Sequence, residues 1–93
     1  MKKFADVPVD DDTKIIRQHE TEIDNIEVLI QKWVWDGLVA ESAIFLDEDV
    51  DHINDEELYQ KIVDKYAVGH DRRHTITRDS NGYTFVNFNF TTF

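Results

Sequence analysis

The chain has 93 residues, no cysteine, and twenty acidic against ten basic side chains, for a net charge of −10. That length makes one domain with a small core, and 41% hydrophobic content with eleven aromatics argues against global disorder. Disulfide and thiolate chemistry are excluded, no apolar run approaches the roughly 18 residues of a membrane span, and the lysines of the opening MKKFADVPVDDD lack the apolar stretch of a signal peptide.

Residues 1–11 carry the only proline, Pro8, and the start of an Asp10-Asp11-Asp12 run, and read as a flexible acidic arm ahead of a single domain spanning 12–93. A helix is expected from Asp12 or Thr13, both good N-caps, to about Asp36, with Gly37 ending it. At about 100° per residue, Ile15, Ile16, Ile23, Ile26, Ile30, Trp33 and Val34 share one face, and His19 falls within that stripe as a core histidine. Glu20, Asp24 and Glu27 fall on a neighbouring polar face, and Val28 and Trp35 lie roughly opposite the stripe. Thr21-x-x-Asp24 offers a second cap within it.

VAESAIFL, residues 39–46, reads as a short strand. After the acidic segment a second helix has a clear start: Asn54 as N-cap, Glu57 as its capping-box partner, and Ile53 with Leu58 as a hydrophobic staple. Leu58, Tyr59, Ile62, Val63 and Tyr66 form its buried stripe, and Gly69 follows as a stop. TITRDSNGYTFVNFNF predicts a C-terminal hairpin with a three-residue loop, Ser80-Asn81-Gly82, and Gly82 in the left-handed bulge position. That register sets Ile76 opposite Val86 and His74 opposite Phe88. The expected fold is α+β in the order α-β-α-β-β, two helices with a short antiparallel sheet.

Charge is unevenly distributed. Residues 36–57 hold nine acids and no Lys or Arg, whereas 67–93 hold two acids and the arginines Arg72, Arg73 and Arg78. The densest part, LDEDVDHINDEEL, puts seven carboxylates in thirteen residues. As a calcium loop from Asp47 it fails, because His52 stands where Gly is needed and Leu58 where a bidentate Glu is needed. HDRRH, His70 to His74, has a zinc-helix spacing but follows a glycine, enters a strand and carries two arginines. His52 reads as a surface residue. Ser42 and Ser80 sit in no nucleophile elbow, and three glycines make no phosphate loop. No catalytic residue, metal or cofactor is expected, and the chain is read as non-enzymatic.

The arginine-bearing hairpin is outweighed by the acids, so direct nucleic-acid and membrane contacts are not expected. A row of anions suits a cationic protein instead. Alternate strand residues point the same way about 6.7 Å apart, which would line up Asp47, Asp49 and Asp51. Glu48, Asp55 and Glu56 extend that surface, and Glu20, Asp24 and Glu27 form a second row. DNA presents a charge about every 3.4 Å per strand, so fixed carboxylate rows can compete for a DNA-binding surface. Val28, Trp35 and Phe93 are candidate interface residues, for a partner or a homodimer.

In overall character, a short, acidic, cysteine-free chain with acidic rows and exposed aromatics, the sequence resembles phage-encoded DNA-mimic inhibitors. No shared motif carries the likeness. The resemblance implies an anti-defence or host-takeover protein in the host cytoplasm, blocking a nucleoid-associated protein, a nuclease or a CRISPR-type effector. The alternatives are an immunity or antitoxin-like neutraliser of a basic toxin, and a structural or oligomerisation domain.

Overall fold

A computed structural model describes residues 4–8, 11–66 and 74–92. Its centre is a five-stranded antiparallel sheet, not a helix pair. The elements are β1 (Thr13–Ile23), β2 (Ile26–Trp35), β3 (Leu38–Leu46), a one-turn helix α1 (Asp47–Val50), α2 (Asp55–Tyr66), β4 (Thr75–Arg78) and β5 (Tyr83–Thr92), with strands ordered β1-β2-β3-β5-β4. The expected α-β-α-β-β order is therefore corrected to β-β-β-α-α-β-β. The error lies in residues 12–36, where one long helix was expected and a hairpin stands.

The physical reasons are local. Ile15, Ile16, Thr21, Ile23, Ile26, Val28, Ile30 and Val34 are β-branched residues that favour strands over helices. Asp24 and Asn25 both take positive φ, 50° and 67°, between the paired residues Ile23 and Ile26. Asp36 and Gly37, at 49° and 78°, do the same between Trp35 and Leu38. These are two-residue turns whose twist matches that of the flanking strands. Gly37 ends no helix; it turns the chain from β2 into β3.

The remaining elements follow the sequence closely. β3 covers the expected strand with one more residue at its start. Glu57 N–H donates to Asn54 Oδ1 at 2.8 Å, so Asn54 caps α2. Leu58 and Ile62 are fully buried, and Ile53 joins them in the core. At the β4–β5 turn, Ile76 pairs with Val86, Gly82 has φ 91°, and Asp79 Oδ1 accepts from the N–H groups of Asn81 and Tyr83, both at 3.0 Å. The three-residue loop is confirmed. His74 lies one residue ahead of β4, and Gly69 lies outside the described residues.

The sheet is covered on both faces. On its inner face Val28, Ile30, Ala43, Phe45, Val86 and Phe88 pack with Val50, Ile53, Leu58 and Ile62 from the helical segment. On the outer face Leu29, Ile44 and Tyr83 are covered by Phe4 and Val7, the Phe4 and Tyr83 rings lying 6.3 Å apart. The start of the expected arm is thus docked through Phe4. His19 is exposed on β1, not in a core.

Candidate protein-interaction surface

The acidic segment is held by apolar anchors placed between its charges. Val50 (0% exposed), Ile53 and Leu58 enter the inner core, which leaves the intervening carboxylates to face outward. Its start is tied to the β4–β5 turn: Asp47 N–H donates to Gly82 C=O at 2.9 Å, and Asp47 Oδ1 accepts from the Thr84 hydroxyl. The first of these bonds satisfies one of the orphan donors at the start of α1.

This geometry corrects the expected row of Asp47, Asp49 and Asp51. Residues 47–50 are helical, so Asp49 is turned about 200° from Asp47 and the three do not line one face as they would on a strand. Asp47 is half-buried and used internally. Asp55 is exposed but paired, accepting from Arg78 Nη2 at 2.8 Å. Asp51 lies 3.7 Å from His52, which is exposed as expected. Glu48, Asp49 and Glu56 meet no Lys or Arg among the described residues. Asp55, Glu56 and Glu57 also occupy the first turn of α2, where the helix dipole favours anions.

The second expected row is rebuilt as well. Glu20 and Glu27 sit on the β1–β2 hairpin, where register puts Glu20 opposite Leu29 and Glu27 opposite Glu22. Side chains of opposed residues share a face, so Glu20, Glu22 and Glu27 gather on the outer face. Asp24 is in the turn and accepts from Lys61 Nζ at 2.7 Å. That hydrogen bond is the main reason the Lys61 ammonium is held above its ordinary pKa; the charges of Asp24, Glu57 and Asp64 add to it and partial burial opposes it.

Register brings these segments to one end of the sheet. Leu29 pairs with Ile44 and Leu46 with Tyr83, so the β1–β2 turn, the β3–α1 junction and the β4–β5 turn all lie together. At that end Lys61 is paired with Asp24 and Arg78 with Asp55.

Of the candidate interface residues, Val28 is corrected: it is fully buried against the helical segment. Trp35 is 41% exposed at the end of β2. Phe93, together with Arg72, Arg73 and His70, lies outside the described residues; His74 stacks on Tyr59 with ring centroids 3.7 Å apart.

A feature the sequence reading missed is a polar rung across the outer face. Gln18, Gln31, Ser42, Asn87 and Thr75 oppose one another in register from β1 to β4. Gln31 Nε2 donates to Gln18 Oε1 at 3.1 Å, the Trp33 indole N–H to Ser42 Oγ at 2.7 Å, and Ser42 Oγ to Asn87 Oδ1 at 2.5 Å. Beside it Trp33, Ile15, Phe85 and Pro8 border an open pocket of about 130 Å³. Strand alternation in β5 was the signal for this rung.

Comparison with protein-family models, curated proteins and solved structures returns no match. No group of three or more His, Asp or Glu side chains among the described residues is arranged to hold a metal ion, and no helix among them is long and apolar enough to cross a membrane.

Proposed function

We propose that this protein is a non-enzymatic acidic inhibitor that imitates DNA and occupies the basic nucleic-acid-binding surface of another protein. The observation that carries this reading is the gathering of the two acidic stretches at one end of the sheet by strand register. Glu48, Asp49, Asp51 and Glu56 supply the central charges, with Glu20, Glu22 and Glu27 beside them on the outer face. The buried anchors Val50, Ile53 and Leu58 keep the acidic segment in one geometry. A scaffolded anion array loses little entropy on binding and steers a cationic partner electrostatically. Asp47 and Asp55 are left out of this array, because Asp47 is bonded to Thr84 and Asp55 to Arg78.

The test is competition. A basic DNA-binding protein is mixed with labelled duplex and titrated with this chain at several salt concentrations. Displacement of DNA is expected, weakening steeply as salt rises. Glu48→Gln with Asp51→Asn and Glu56→Gln should abolish it while leaving the circular dichroism spectrum unchanged. Displacement that survives the triple substitution, or does not depend on salt, would refute the reading.

A further inference from the structure

On the outer face of the sheet, Phe4 and Val7 lie over Leu29, Ile44 and Tyr83, toward the acidic end. The polar rung lies farther along, toward the β2–β3 turn, and there Pro8, Ile15, Trp33 and Phe85 stand around the open pocket.

Gln31 and Ser42 line this pocket and are themselves nearly buried, 6% and 2% exposed. Their hydrogen bonds can be counted against what each group is able to make. The Ser42 hydroxyl accepts from Trp33 and gives its own proton to Asn87. The Trp33 N–H, the one donor of its side chain, is thereby used, which holds the indole in one orientation. Asn87 Nδ2 donates one N–H to Thr75 Oγ1 at 3.3 Å and has a second to give. Gln31 Nε2 gives one N–H to Gln18 and also has a second, while Gln31 Oε1 meets no donor among the described residues. Among those residues the sealed side-chain atom with no partner is Asp79 Oδ2, so Gln31 Oε1 keeps an opening to the outside. The space that Gln31 borders is the pocket.

A nearly buried carboxamide with an unused acceptor, set beside aromatic walls, is the pattern of a small-molecule site: an apolar lining with a few placed polar groups. Water alone fits it badly. A held water needs about two to four polar partners, and Pro8, Ile15 and Phe85 offer none from their side chains.

Three features define the occupant. The volume of about 130 Å³ is close to the roughly 150 Å³ that admits a benzene ring, so one ring fits. No Lys, Arg, Asp or Glu lines the pocket among the described residues, and the chain carries −10, so the ring is uncharged. Gln31 Oε1 requires an N–H, and the spare N–H groups of Gln31 and Asn87 require a C=O. We infer that the pocket binds an uncharged six-membered ring with neighbouring N–H and C=O groups, the chemistry of a pyrimidine base, read by Gln31 and walled by Trp33 and Phe85. A base joined to phosphate would bring negative charge to an acidic chain, so the free base is the favoured form. The site lies away from the acidic end and does not depend on the DNA-mimic reading.

The test is a titration of the isotope-labelled full chain with uracil, followed by nuclear magnetic resonance; a ligand this small binds weakly, so the probe is used at millimolar concentration. The side-chain amide signals of Gln31 and Asn87 and the indole N–H signal of Trp33 should shift together and saturate. Those of Asn54 and Asn81, at the acidic end, should stay in place. The N,N′-dimethyl derivative of uracil has no N–H for Gln31 Oε1 and should bind on the order of tenfold more weakly, the loss of one hydrogen bond to a buried group. Gln31→Met should weaken uracil to a similar extent. Uridine monophosphate should bind less well than uracil, by a factor that shrinks as salt rises. Shifts that are absent, unsaturable or equally large at Asn54 and Asn81 overturn the inference. So does uridine monophosphate binding more tightly than uracil, or uracil binding that Gln31→Met leaves unchanged. Should that variant not fold, equal binding of uracil and its dimethyl derivative overturns it instead.

Discussion

Val28 is the residue on which a helix and a hairpin disagree most sharply. On a helix from residue 12 to 36 it would face away from the core; in β2 it is 0% exposed, packed under the helical segment. Val28→Ala deletes two methyl groups from that site. At about 0.8 kcal/mol per buried carbon, the lost transfer is about 1.6 kcal/mol. A residual cavity of about 40 Å³ at about 24 cal/mol per Å³ adds about 1 kcal/mol. The expected loss of about 2.5 kcal/mol should lower the urea midpoint by about 1–2.5 M, taking a slope of about 1–3 kcal/mol per M. Thermally it corresponds to about 10–20 °C for a domain of this size. Urea unfolding followed by the fluorescence of Trp33 and Trp35 measures it. An unchanged midpoint would mean that Val28 is exposed, and the hairpin with its β2 register would be wrong.

Three further outcomes test separate parts of the scaffold. Asn54→Ala removes the acceptor for the Glu57 N–H and should cost about 1 kcal/mol, read as a fall in Tm of about 4–8 °C. Gly82→Ala should cost about 1–2 kcal/mol in a denaturant titration; nothing lies within 4 Å of the added Cβ, so φ 91° alone sets the penalty. For Lys61 the folded pKa lies above the unfolded one, so its contribution is complete below the ordinary lysine value of about 10.4 and is lost as pH rises through the raised value. The Tm difference between the parent chain and Lys61→Met should therefore hold constant up to about pH 10 and narrow above it. A gap that does not narrow would mean that the Asp24 contact is not formed in solution.

How much of this was legible differs by segment, for physical reasons. α2 and the β4–β5 hairpin were readable because their signals are local: a cap, a staple, and a loop whose glycine takes positive φ. The first hairpin was not, because β2 is covered on both faces. Val28, Leu29, Ile30 and Gln31 are all buried, which erases the alternation that marks a half-exposed strand. In β1 the irregularity between Ile15 and Arg17 shifts the parity of the apolar residues, so Ile15 and Ile16 stand side by side and mimic a helical stripe. Asp24-Asn25 and Asp36-Gly37 were the corrective signals, being turn dipeptides placed between β-branched runs. The acidic patch was legible as composition but not as geometry: nothing in LDEDVD distinguishes an alternating strand from a helical turn until Val50 is seen to be buried.

The arrangement of charge also bears on why it is there. Register sets Glu22 directly opposite Glu27, and like charges facing each other across a strand pair destabilise it. Three acids in succession at residues 47–49 add repulsion within one helical turn. A surface that alternated signs would solubilise this domain without either cost. Lys61 and Arg78 are bonded to Asp24 and Asp55, and both of those acids sit at the margins of the patch, one in a turn and one at a helix start. Glu48, Asp49 and Glu56 meet no Lys or Arg among the described residues, so under the proposed function a basic protein surface would relieve that repulsion as it gained the contacts. Removing Glu48, Asp51 and Glu56 by amide substitution should accordingly raise the stability of the isolated chain while abolishing competition with DNA. A fall in stability would mean that these carboxylates serve the fold and not a partner.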